Sequence, residues 1–198
     1  MAFVGANVFN PNLDLNISNA TILVNKGKIV KIQPSSEKIP NDYAVTNLEN
    51  KWVIPGLIDG HVHLSESGSA FTRPDIIDAT KIKSYQADQK WLLANTSSLL
   101  KNYVSLGITT IFDMGGPSQY IKHYREVTKN GSYPDIYAAG ALLSPMDVPQ
   151  LNVNGEIFTK VSNAKEAIAL VESQLSLNTS IIKIVWSQET GMTTEQLY

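Results

Sequence analysis

Pro55-Gly56-Leu57-Ile58-Asp59-Gly60-His61-Val62-His63-Leu64 is the stretch on which the reading of this chain turns. A Pro-Gly pair enters it, and the apolar run that follows is too short for a helix of its own, so Leu57 to His63 reads as a buried strand. Side chains alternate between the faces of a strand, which points the imidazoles of His61 and His63 the same way and brings them close together. Two readings of such a pair stay open on spacing alone: a chance recurrence on an exposed strand, or the start of a site for zinc or another borderline divalent ion, which for catalysis also needs oxygen ligands and an open position for water.

Upstream of this strand, Ala20 to Val24 and Lys28 to Ile32 carry β-branched residues on either side of Asn25-Lys26-Gly27, a hairpin-like turn. Residues 1–54 are therefore expected to form a small β unit, and 55–198 a second region in which helices and strands alternate. Trp91 to Leu106 places Leu92, Leu99, Leu100, Tyr103 and Val104 at helical spacings and ends at Gly107. Ile108 to Met114 reads as a strand, Pro117 to Lys129 as a helix with Gly131 just past its end, and Asp135 to Leu143 as a strand. Asn163, with Glu166 three residues on, has capping-box spacing ahead of a helix from Ala164 to Leu175, whose expected buried face is Ala167, Ile168, Val171 and Leu175. Ser180 to Trp186 is the next strand, and Thr193 or Thr194 opens a further helical turn. Strands this apolar, alternating with helices, predict an α/β fold with a parallel sheet.

Composition removes several alternatives. A net charge of -2 with 17% charged residues leaves no basic stripe for nucleic acid and no polybasic patch for a membrane surface. No stretch approaches the roughly 20 apolar residues of a membrane span, and Met1 to Phe9 lacks the pattern of a secretory leader. A cytoplasmic location is the first expectation, with a periplasmic or secreted one open if a leader was removed. The chain has no cysteine, so disulfides, thiolate ligands and a cysteine nucleophile are excluded and any metal must use nitrogen and oxygen ligands. Neither a Gly-rich phosphate loop nor a Gly-x-Ser-x-Gly elbow is present, and the first βα turn lacks a Gly-x-Gly-x-x-Gly fingerprint.

The ten-residue stretch from Pro55 to Leu64 resembles the signature of the amidohydrolase superfamily, in which a P-G-L-I-D-x-H-x-H segment forms the first strand of a (β/α)8 TIM-like barrel. The β unit ahead of it resembles that family's N-terminal β-sandwich segment. Gly107-Ile108-Thr109-Thr110-Ile111-Phe112-Asp113 resembles its second strand, and Ile181-Ile182-Lys183-Ile184 its fourth. The resemblance implies the first four βα units of such a barrel and a small-molecule substrate. It also implies one or two divalent metal ions, zinc foremost, bound by His61 and His63. The activity it implies is hydrolysis of C–N bonds in amides or cyclic amides, or of related esters, through a metal-activated water. Within the superfamily, the motifs resemble the imidazolonepropionase-like and dipeptidase-like branch more than the cyclic-imide branch.

Lys183 matches the strand-four lysine that is carboxylated and bridges two metals in binuclear members. Its neighbours Ile181, Ile182, Ile184 and Val185 are apolar surroundings that disfavour a charged ammonium, and a neutral amine reacts with carbon dioxide. The competing reading is an ammonium that snorkels to solvent. Asp113, at the end of a strand on the face where barrel enzymes gather their loops, is a candidate substrate contact; the alternative is a carboxylate bonded to nearby turn amides. Arg73, in the long irregular stretch after the first strand, could hold an anionic group of the substrate or form a surface salt bridge. Asp59 is a candidate to orient a ligand, and His123 is read as a helix histidine without a site role.

The resemblance puts further histidines on the fifth and sixth strands and a catalytic aspartate on the eighth, and none of these is found in this sequence. Four parallel strands leave two open edges, so the barrel is expected to need the rest of a longer enzyme, a second chain or a homo-oligomer to close it, and these residues alone are expected to be inactive. The rival class is a non-catalytic amidohydrolase-like fragment or assembly protein, against which the joint presence of His61, His63 and Lys183 argues.

Overall fold

The computed structural model describes residues 1–66, 80–152 and 155–185. Arg73, Trp186 and the Thr193–Thr194 turn lie outside these residues. The chain divides into two compact units, Met1–Gly56 and Leu57–Tyr198.

In the first unit, β1 (Ala2–Asn10), β2 (Leu15–Asn25), β3 (Lys28–Pro34), β4 (Val45–Asn47) and β5 (Trp52–Val53) form one five-stranded sheet. Its order is β3-β2-β1-β4, with β5 also pairing β1. The expected hairpin is β2 and β3, antiparallel with Asn25 opposite Lys28, so Lys26-Gly27 is its two-residue loop. β1 pairs β2 antiparallel and pairs β4 and β5 in parallel. Ala6, Val8, Ala20 and Ile22 are buried at its centre, with Phe3, Ile17, Leu48 and Val53 packed around them. The central strand β1 was not anticipated, because Gly5 and the bulges around it interrupt the alternation that marks a strand.

In the second unit, β6 (Leu57–Val62), β7 (Ile108–Asp113) and β8 (Asp135–Ala138) form a parallel sheet in the order β6-β7-β8. Two helices, α1 (Tyr85–Ser105) and α2 (Tyr120–Thr128), connect them in sequence. Val62, Leu100 and Ile111 make the core between β6, α1 and β7, with Tyr103, Val127 and Ile136 against them. Burying each such aliphatic side chain stabilises the fold by about 1.5–3 kcal/mol. α1 begins six residues ahead of the expected Trp91, capped by the Ser84 hydroxyl, which accepts the Ala87 N–H at 3.2 Å. Its first turns escape an apolar-periodicity reading because the residues they bury include Asp88 and Gln89.

The expected strand from Asp135 to Leu143 is broken in two. Gly140 adopts φ +71°, a left-handed conformation that no extended strand continues through, and the chain resumes as β9 (Leu142–Ser144). β9 pairs in parallel with β10 (Phe158–Lys160), a strand the apolar pattern did not mark. The next strand is present as an extended segment: Ser180 N–H donates to Ala138 O, Lys183 O accepts from Leu143 N–H, and Ile184 forms a parallel bridge with Leu143.

Between β10 and that segment lies α3 (Ala164–Ser176). Its capping box forms as expected: Asn163 Oδ1 accepts the Glu166 N–H at 3.0 Å, while the Glu166 carboxylate reaches back to the Ser162 N–H at 2.8 Å. The Ser162 amide, together with the Asn163 side-chain amide that donates to Glu166 Oε1 at 2.9 Å, holds the Glu166 carboxyl below its ordinary pKa. The buried face is turned from the expected one. Ala167, Leu170 and Val171 pack against Leu143 and Val161, and Gln174 is buried where it donates to Ala141 O at 3.1 Å. Ile168 and Leu175, expected inside, are 59% and 57% exposed. The amide of Gln174 looks polar in sequence, yet its bond to a backbone carbonyl takes the place an apolar residue was expected to fill.

Candidate metal centre at the strand ends

His61 lies in β6 and His63 just beyond its last residue, at the C-terminal end of a parallel strand, where barrel active sites form. The alternation of the strand has the predicted effect: the two rings stand 5.4 Å apart, tilted 59° to one another. Asp59 Oδ1 accepts the His61 backbone N–H at 3.2 Å, so Asp59 steadies the strand rather than the imidazole.

His63 Nδ1 lies 3.0 Å from the carbonyl oxygen of Gly115, in the loop after β7. A carbonyl has no proton to give, so this contact requires Nδ1–H and leaves the lone pair on Nε2. That is the tautomer of a metal ligand held by a carbonyl behind it. Gly115 adopts φ +128°, and a Cβ there would lie 2.4 Å from Leu142 Cδ1, so the loop passes where only glycine fits.

Asp113 ends β7 and is 3% exposed. Its Oδ1 accepts the N–H of Leu64 at 3.3 Å and of Gly115 at 3.4 Å, the turn-amide arrangement that the sequence left open beside a substrate contact. Burial pushes its carboxyl up to about 6, only partly opposed by those two amides and by His63.

Lys183 is half-buried and lines a cavity of about 160 Å³ together with His63, Glu66, Tyr85, Leu142 and Phe158. His63 and Lys183, 120 residues apart in sequence, thus share one cavity, while His61 lies outside its lining. A larger cavity of about 320 Å³, lined by Tyr124, Arg125 and Asp135, opens at the N-terminal end of β8, the end of a barrel strand remote from the chemistry. His123 Nε2 is 3.0 Å from Thr96 Oγ1, joining α2 to α1 away from the site. Glu66 and Tyr85 carry no motif that sequence reading could have found. Gln89 is fully buried and donates to Ser65 O at 2.7 Å, holding the loop after His63, and its polarity concealed it in the same way.

Among the described residues no group of three or more His, Cys, Asp or Glu gathers as a metal site. What the structure does bring together is the pair of imidazoles, 5.4 Å apart, and His63 with Lys183 in one cavity.

No family model matches the chain. Over 73 residues it is 40% identical to a dihydroorotase of Syntrophobacter fumaroxidans, a stretch covering 35% of this chain and 16% of that protein. Over 113 residues it is 26% identical to an imidazolonepropionase of Pseudoalteromonas atlantica, covering 47% of this chain and 27% of that protein. Among solved structures, a Xaa-Pro dipeptidase with bound methionine in the active site superposes with a TM-score of 0.71 at 17% identity, over 99% of this chain and 52% of that one. The ochratoxinase of A. niger superposes with a TM-score of 0.66 at 16% identity, over 94% of this chain and 47% of that one. The chain spans about half the length of these two structures, and the stretches matched to the two curated relatives are shorter still.

Local sequence similarity and fold together support a relationship to the amidohydrolase superfamily, and the partial coverage fits an N-terminal portion of such a protein. The relatives point to an amidohydrolase-type enzyme family, whose members generally use divalent metals. The sequence matches include dihydroorotases as well as an imidazolonepropionase, so they do not favour the branch that the motifs resembled.

Proposed function

We propose that these residues are the N-terminal half of a metal-dependent hydrolase that cleaves a C–N bond of a small amide or cyclic amide, or a related ester. In this reading His61 and His63 ligate the metal, zinc foremost, through Nε2 in the case of His63. The observation that carries it is the pairing of the two rings at a strand end with the Gly115 carbonyl behind one of them. When bound, the ion would lower the pKa of a water and polarise the scissile carbonyl.

The chain's own contribution is orientation and enclosure. Gly115 O holds the His63 ring, and the apolar side chains of Leu142 and Phe158 exclude water from one side of the cavity. Lys183 is the candidate for carboxylation: its neutral amine adds carbon dioxide, forms an N–C bond, releases one proton and gains two oxygens able to ligate a metal. Arg73 and Asp113 were the sequence-level candidates for substrate contact, and the burial of Asp113 supports an internal role for it instead. Exposed Leu57 and Ile58 on β6 support the reading that further barrel elements cover this strand, from the rest of a longer enzyme or from a second chain. With the barrel elements that would cover β6 supplied from elsewhere, the 198 residues by themselves are expected to show negligible turnover.

Elemental analysis of the purified chain after chelation and reloading tests the proposal. Stoichiometric zinc that disappears in the His61→Ala, His63→Ala variant supports it. Zinc content equal in wild type and variant refutes it.

A further inference from the structure

We propose that Asp113 is a positioning residue: its carboxylate ties the amide after His63 to the amide of Gly115, keeping the His63 ring against the Gly115 carbonyl as the Nδ1–H tautomer with Nε2 presented outward. The value of that tautomer for function rests on the reading of His63 as a metal ligand; the clasp stands on its own geometry.

One oxygen makes both attachments. Asp113 Oδ1 accepts from the amide of Leu64, the residue directly after His63, and from the amide of Gly115, the residue whose carbonyl accepts the His63 ring proton. His63 is therefore tied to the same carboxylate through its backbone and through its ring. The surrounding chain is pinned as well: Met114 N–H donates to Val62 O at 2.8 Å, Ala139 N–H to Asp113 O at 2.9 Å and Gly116 N–H to Gly140 O at 3.0 Å. The Gly115 carbonyl shares its peptide with the Gly116 N–H and takes its direction from that bond, while Asp113 holds the preceding Met114–Gly115 peptide and the amide after His63, and so sets how close the ring comes to that carbonyl.

Removing the carboxylate leaves two amide donors without a partner and loosens the tie that keeps the His63 ring within reach of the Gly115 carbonyl. An asparagine retains an Oδ1 acceptor at the same place. Asp113 thus acts through the amides of Leu64 and Gly115 on the ring of His63.

The chain has three histidines, so long-range ¹H–¹⁵N correlation spectra of the ¹⁵N-labelled, chelator-treated protein near pH 8 resolve the tautomer of each ring, with His63→Ala assigning the signal. The expected result is Nδ1–H at His63 in wild type and Asp113→Asn. A mixed or Nε2–H population is expected in Asp113→Ala, with zinc affinity falling about 10–100-fold as is usual for lost outer partners of a ligand. An unchanged His63 tautomer in a folded Asp113→Ala chain overturns the proposal. Should that variant not fold, wild type and Asp113→Asn still decide, since Nε2–H at His63 in either one overturns it. If the chain binds no zinc but His63 shows the expected tautomers, the metal reading fails and the clasp stands. If zinc binds and the tautomer ignores Asp113, the reverse holds.

Discussion

Replacing Asp113 by asparagine should stabilise the metal-free protein at neutral pH, because the carboxylate is buried at greater cost than its partners offset. Its folded pKa is raised from the ordinary 3.8 to about 6, burial being the largest cause. A raised acid pKa means that the folded state binds more protons than the unfolded one between those two values. The sign follows: stability is highest below about pH 4, declines as pH rises through 6, and is level above that. The drop is about 2 pK units at about 1.4 kcal/mol each, or ~3 kcal/mol. Asparagine does not ionise and keeps an Oδ1 acceptor for the amides of Leu64 and Gly115, so it avoids the decline. Urea unfolding followed by circular dichroism in chelator, from pH 4 to pH 8, measures the difference, in which the titration of all other groups cancels. The two proteins should be nearly equal at pH 4 and separated by up to about 3 kcal/mol at pH 8, asparagine the more stable. A gap independent of pH, or a less stable asparagine variant at pH 8, would show that charge-assisted bonds to the two amides outweigh burial and would refute the reasoning. Adding zinc should narrow the gap, since a cation beside His63 favours the carboxylate.

Four further outcomes are expected. Gly115→Ala should lower stability by about 1–3 kcal/mol in urea unfolding, because its Cβ would meet Leu142 Cδ1 at 2.4 Å on a backbone at φ +128°. Leu100→Ala should cost about 2–5 kcal/mol by the same assay, since the side chain is fully buried between α1 and β7. Carboxylation of Lys183 predicts a carbamate signal in ¹³C spectra of the zinc-loaded chain in labelled bicarbonate, lost in Lys183→Ala; equal spectra would dismiss it. Asn163→Ala should cost about 1 kcal/mol by removing the acceptor for the Glu166 N–H, measurable as a lower unfolding midpoint.

What could be read directly from the sequence concerns interactions between near neighbours. The period of two along β6 put His61 and His63 on one side of a strand, and the Asn163–Glu166 spacing marked the start of α3, because each depends on residues within one turn or two strand positions. The β2–β3 hairpin follows from its two-residue loop in the same way. Even the break at Gly140 is local, yet a glycine in an apolar run does not announce its φ.

Tertiary structure decided what depends on partners far along the chain. The carbonyl that holds His63 comes from a residue 52 positions away, and the carboxylate that bonds the Leu64 amide from one 49 positions away. No side-chain pattern encodes a backbone carbonyl, and Asp113 could be told from a substrate contact only once its burial was known. Which face of α3 is inside was likewise settled by Leu143 and Val161 and by a buried amide bond from Gln174, against the apolar count. Residue type and spacing determine which groups are able to bind a metal. Packing between strands distant in sequence determines which of them are oriented to do so, because hydrogen bonds and burial act through space and sequence distance does not measure it.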